Sequence, residues 1–86
     1  MIRIHLSELL GRKRWTQAKL ARVTGIRPST ISEMYREIST RITLEHLDLI
    51  CEALDCTLED LVTYEANEIP RIERNRNGNP IRPVKY

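Results

Sequence analysis

The sequence predicts an all-α fold, five short helices packed as one domain and followed by an extended C-terminal tail. Three observations predict it. Four segments share one start signal, an apolar residue, a cap, and a second apolar residue five positions after the first. Only a few residues connect the helices those signals imply, so neighbours must pack against each other. The fourth of these helices also carries an apolar stripe at helical period, Leu44, Leu47, Ile50, Cys51 and Leu54.

The paired apolar residues are Trp15 with Leu20, Ile26 with Ile31, Ile42 with Leu47, and Cys56 with Leu61. That is the spacing of a hydrophobic staple, which packs N′ on N4 across a helix's first turn. The caps between them are Thr16, Arg27, Thr43 and Thr57. A threonine hydroxyl can accept from an otherwise unpaired amide of the first turn. Arg27 is a poor cap, but Pro28 then falls at the first helical position, where its fixed φ suits the helix. Thr57 has Asp60 three residues on, close to a capping box. A helix around Leu6, Leu9 and Leu10 completes the set, with predicted spans of residues 5–13, 16–24, 28–36, 43–55 and 57–62. Residues 1–63 form the predicted domain and residues 64–86 a basic tail, extended or docked.

At 41% hydrophobic and 30% charged, the chain suits one soluble domain. It has no Phe, so the core falls to Leu, Ile, Val, Met and Ala. No apolar run approaches the ~18 residues of a membrane span. The start, Met1 to Leu6, alternates in polarity and has no signal-peptide core, so a cytoplasmic location is expected. Cys51 and Cys56 read as small core residues, since neither sits in a paired metal spacing with His5 or His46. No metal, cofactor or catalytic set is expected.

Charge is sorted along the chain. Between Glu8 and Glu33 every charged residue is basic: Arg12, Lys13, Arg14, Lys19, Arg22 and Arg27. Between Arg41 and Arg71 every one is acidic, from Glu45 through Glu68. The tail turns basic again with Arg71, Arg74, Arg76, Arg82 and Lys85 against Glu73. Such separation lets a protein offer one face to a polyanion and turn the other away.

Residues Thr16 to Ser32 place specific chemistry at each key position. Leu20 faces inward, Ala21 allows the next helix to cross closely, and Gly25 supplies the left-handed conformation that ends the helix. Ile26 anchors the turn, and Ile31 with Met34 fixes the following helix. Two short helices joined by the three residues 25–27 leave the outer face of the second free to enter a major groove.

With Gln17-Ala18-x-Leu20-Ala21, Thr24-Gly25-Ile26, Ser29-Thr30-Ile31-Ser32 and the closing run Cys51 to Cys56, residues 6–61 resemble the Cro and phage-repressor (Xre-like) helix-turn-helix family. The resemblance implies a compact, lambda-repressor-like five-helix domain that binds a double-stranded DNA operator, usually as a homodimer. It implies that helix 28–36 reads bases through Arg27, Pro28, Ser29, Thr30 and Glu33. Phosphate contacts would come from Arg14, Gln17, Arg36 and Arg41. An arginine fork suits a guanine edge and a carboxylate a cytosine amino group. For Glu33, pairing with Arg36 or Arg27 is an equal alternative. Pro28 and Ser29 stand where many relatives carry Gln or Asn, which moves specificity towards Arg27, threonine methyl contacts and DNA shape.

The expected function is a transcriptional regulator, a repressor of phage or bacterial type. An antitoxin with a small protein partner and a protein-binding adaptor are alternatives on the same fold. Leu49 and Ala53, with His46, make a second stripe on the fourth helix and offer one surface for pairing. Ile69 and Ile72 offer another, and the tail is expected to dock or dimerise, its strand lying on the edge of Met1–Ile4, rather than to serve as a DNA arm.

Overall fold

The three threonine caps act as their hydroxyls predict. Thr16 accepts from the Lys19 amide at 3.0 Å, Thr43 from His46 at 3.1 Å and Thr57 from Asp60 at 3.3 Å. They begin α2 (Gln17–Thr24), α4 (Leu44–Leu54) and α5 (Leu58–Leu61). At Thr57 the capping box closes, the Asp60 carboxylate accepting from the Thr57 amide at 3.1 Å. Neither α1 (Leu6–Lys13) nor α3 (Pro28–Tyr35) has a side-chain cap, and α3 opens on Pro28 instead. This computed structural model describes residues 1–84; Lys85, one of the tail's basic residues, and Tyr86 lie outside the described residues.

Helix ends follow one device. After α1, Trp15 donates to the Leu10 carbonyl and Arg14 to Gly11; after α3, Ile38 donates to Glu33 and Glu37 to Met34; after α4, Cys56 donates to Cys51 and Asp55 to Glu52. These paired bonds are Schellman closures, and each puts its middle residue, Arg14, Glu37 or Asp55, at positive φ. Only α2 uses glycine there, Gly25 at φ 76°. Trp15 and Cys56 each close one helix and staple the next, which keeps the connections short.

The core comprises Leu6, Leu9, Leu10, Leu20, Ala21, Ile26, Ile31, Met34, Ile50, Leu54, Leu61 and Ile4. Each large side chain among them contributes about 1.5–3 kcal/mol by leaving water. Trp15, Leu47, Cys51 and Cys56 pack against this core half-buried. Leu44 departs from the predicted core face and is 82% exposed, because the first residue of α4 projects beyond the packed surface.

The fold is not all-α. Met1–Ile4 alternates because it is a strand: β1 (Ile2–Ile4) pairs antiparallel with β2 (Val62–Tyr64), Ile4 opposite Val62 and Ile2 opposite Tyr64. His5 donates to the Leu61 carbonyl at 2.7 Å and Glu65 to Met1 at 2.8 Å, so the ladder extends from residue 61 to residue 65. This also corrects the expected docking of the tail. The strand beside β1 is the segment that leaves α5, already held there by its own helix. The tail instead folds on itself, β3 (Ile72–Arg74) against β4 (Pro80–Pro83), with an irregularity beside Glu73 and Arg74. A radius of gyration of 16.0 Å, against about 12 Å for a compact chain of this length, and a longest extent of 50 Å show the hairpin projecting.

Candidate nucleic-acid interface

The turn between α2 and α3 is built by Thr24 and Gly25. The Thr24 hydroxyl donates to the Leu20 carbonyl at 2.7 Å and accepts from the Ile26 amide at 3.3 Å. Gly25 donates to Ala21 at 2.9 Å. With Ala21 and Ile26 buried beneath the turn, and Ile31 and Met34 buried on the inner face of α3, the opposite face of α3 is left to solvent. Arg27, Pro28, Ser29, Glu33 and Arg36 are exposed, and Thr30 is half-buried.

Gln17 and Pro28 line one shallow, mostly apolar groove between the starts of α2 and α3, together with Ala18, Ala21, Arg22 and Ile26. The structure therefore brings a predicted phosphate contact beside the mouth of the predicted reading helix. Gln17 stands at the first position of α2, where free amides and the helix dipole favour an anion. Arg22 was absent from the predicted site residues. Its spacing of four from Ala18 places it on the same face of α2, a signal present in the sequence. Arg14, at the left-handed end of α1, and Arg41, in the segment joining α3 to α4, are exposed but form no hydrogen bond or ion pair with this groove.

Ion pairing leaves the basic stretch open. The ion pairs among the described residues join Arg3 to Glu37 and Glu65, His5 to Glu8, and Arg82 to Glu73. None involves Arg12, Lys13, Arg14, Arg22, Arg27 or Arg36. Lys19 sits over the Trp15 ring at 4.3 Å, a cation–π contact. Glu33 pairs with neither Arg36 nor Arg27; it is exposed on α3, with no ion pair among the described residues.

Glu37 has the largest structural role that sequence reasoning missed. It takes the left-handed position after α3, where glycine is cheaper by about 1–2 kcal/mol. Its carboxylate accepts from Arg3 Nε at 2.8 Å, Arg3 Nη2 at 2.9 Å and the Ile4 amide at 2.9 Å. Those bonds, the Arg3 guanidinium foremost, hold its pKa down to about 2. Glu37 thus clamps the end of α3 to β1. No local pattern announces it, because its partner is 34 residues away.

Cys56 is pushed up to about 11 by burial first and by neighbouring Cys51 second, so its thiol stays protonated. Both cysteines are free. Among the described residues no group of three His, Cys, Asp or Glu converges on a possible metal site, and no helix is long and apolar enough to cross a membrane.

The profile of the Cro/C1-type HTH DNA-binding domain matches residues 5–67. A crystal structure of a candidate DNA-binding protein from Bacteroides fragilis superposes with a TM-score of 0.66 at 25% identity, covering 73% of this chain and all of the other. No curated protein matches the chain.

Proposed function

The chain belongs to the Cro/C1-type helix-turn-helix DNA-binding family, and on that footing we propose that it is a sequence-specific transcriptional regulator, a cytoplasmic repressor that occupies operator DNA and excludes polymerase. In this reading α3 lies in the major groove. Arg27 forks onto a guanine edge, Glu33 accepts from a cytosine amino group, and Pro28, Ser29 and Thr30 pack on or bond to neighbouring bases. Gln17, Arg14, Arg36 and Arg41 hold phosphates and set register. The observation that carries it is the basic stretch from Arg12 to Arg27, which forms no ion pair among the described residues, beside a reading helix whose outer face is exposed. One such helix offers few base contacts, so the protein acts as a homodimer on two half-sites about 34–36 Å apart.

Selection of bound sequences from a random DNA pool, followed by titration at several salt concentrations, tests this. Affinity should fall steeply with salt, at roughly 0.9 counterions per phosphate contact. A flat response, or no binding at low salt, overturns it. On the selected site Arg27→Ala should cost about 1–3 kcal/mol and relax preference at one position. Gln17→Ala should weaken all sequences alike.

A further inference from the structure

Residues 68–83 carry no buried side chain. An isolated two-stranded hairpin is marginal in water, and its outer edges are templates for another strand. The two edges of this one differ. Val84 donates to the Arg71 carbonyl and Asn75 to the Asn79 carbonyl, both at 2.9 Å, and Glu73 stands opposite Arg82. Those residues turn their backbone groups inward. By alternation, Ile72 and Arg74 on β3, and Pro80 and Pro83 on β4, turn theirs outward. The outer edge of β4 thus has proline at both outward positions and no N–H to offer there. The outer edge of β3 presents the amides and carbonyls of Ile72 and Arg74, and none has a hydrogen-bond partner among the described residues.

We propose that the open edge of β3 is a self-association surface, on which a second copy of this chain adds its own β3 antiparallel about a two-fold axis at Ile72. The product is a four-stranded sheet whose two outer edges are both the proline-blocked β4. Charge selects the register. With the axis at Ile72, the two Ile72 residues exchange N–H to C=O bonds, and Arg71 of each copy stands opposite Glu73 of the other. An axis at Glu73 would oppose two glutamates, and one at Arg74 two arginines, both unfavourable. Arg71 and Glu73 share a face, where Glu73 already holds Arg82 at 2.7 Å, so each carboxylate would lie between two guanidinium groups. The exposed Ile69 and Ile72 add apolar contact beside the axis. The hairpin lies beyond the family match, which ends at residue 67. It is an addition to the domain, and its pairing stands whether or not the operator reading does.

Sedimentation of the full chain over a concentration range, with circular dichroism to confirm helicity, tests the surface. Ile72→Pro removes the outward amide while sparing the bonds to β4, and should weaken the dimer at least about tenfold. Arg71→Glu and Glu73→Arg should each do so alone, by setting like charges opposite. Mixed one to one they should form a dimer again, since both cross-copy pairs are then opposite in sign. A wild-type chain that stays monomeric at all concentrations overturns the proposal, as do edge variants that dimerise unchanged or a mixture that fails to recover. Variants that keep the dimer but lose DNA affinity make the hairpin a DNA arm instead. Binding to an isolated half-site at low salt reports on the operator reading separately, because it needs no dimer.

Discussion

The helical domain and the hairpin are held by different physics in one chain. In the first, Ile4, Leu6, Leu20, Ile31, Ile50 and Leu61 reach the same core from across some sixty residues of sequence. The Arg3–Glu37 clamp closes the structure across 34 residues and the β1–β2 ladder joins its two ends. In the hairpin the bonds are local: Asn75 Oδ1 accepts from the amides of Asn77 and Asn79, Arg74 donates to the Gly78 carbonyl, and Arg82 pairs with Glu73. Burial makes a domain cooperative, because removing one core residue affects every neighbour. Local hydrogen bonds facing water give a shape with little stability of its own. The basic reading surface rests on the first kind of region and the open strand edge belongs to the second.

That contrast predicts its largest effect in the core. Leu20→Ala or Ile31→Ala should cost about 2–5 kcal/mol, measured as a shift of the urea midpoint followed by helical circular dichroism. Ile81→Ala, an equally apolar truncation in the hairpin, should change the same midpoint by no more than about 0.5 kcal/mol. Comparable losses at Leu20 and Ile81 would mean that the hairpin is packed into the cooperative unit after all.

Glu37 lies at the seam and should show an intermediate effect. Glu37→Gln removes a charge-assisted pair that is about one-third exposed, so the expected loss is on the order of 1 kcal/mol after solvent screening. Its pKa is lowered on folding, so the stabilisation is fully present above the ordinary carboxylate value of about 4.3 and disappears as pH falls towards about 2. Acid unfolding of the wild type should therefore include a component across that window that Glu37→Gln lacks. Identical acid profiles would show that the clamp contributes nothing.

Much of this division was legible in the sequence, and for local reasons. Thr16, Thr43 and Thr57 each speak within one turn, and Gly25 with Pro28 marks a turn whose conformations are set by those residues themselves. The unclear parts depend on partners distant in sequence. Ile2 and Ile4 alternate as a strand should, but three residues cannot say which segment pairs with them. Glu37 looks like one more exposed acid until Arg3 is seen beside it. Leu44 belongs to the stripe by periodicity, yet helix phase cannot tell where the packed surface stops. The reading helix was legible because staple and turn fix its inner face, and its outer face follows by exclusion. The tail's Asn77-Gly78 pair signals a turn, whereas the proline-blocked edge emerges only with the register of β3 and β4.

The smallest effect expected on the whole molecule, and the sharpest test of the division, is at Gly78. Its φ of 83° lies in the region that side-chain-bearing residues disfavour, while a Cβ built there meets nothing within 4 Å. The penalty for Gly78→Ala is therefore one of backbone conformation, about 1 kcal/mol, with no clash to relieve. Spent on a hairpin that is itself marginal, that amount should visibly depopulate it. Hydrogen exchange at the Val84 amide, which bonds the Arg71 carbonyl across the hairpin base, should accelerate severalfold. Spent on the helical core it should register nowhere, because residues 75–79 are all exposed, and the thermal midpoint of the helices should stay within about 1 °C. A midpoint that moves with Gly78 would show that opening the hairpin opens the core, and the two regions would then be one unit with one stability.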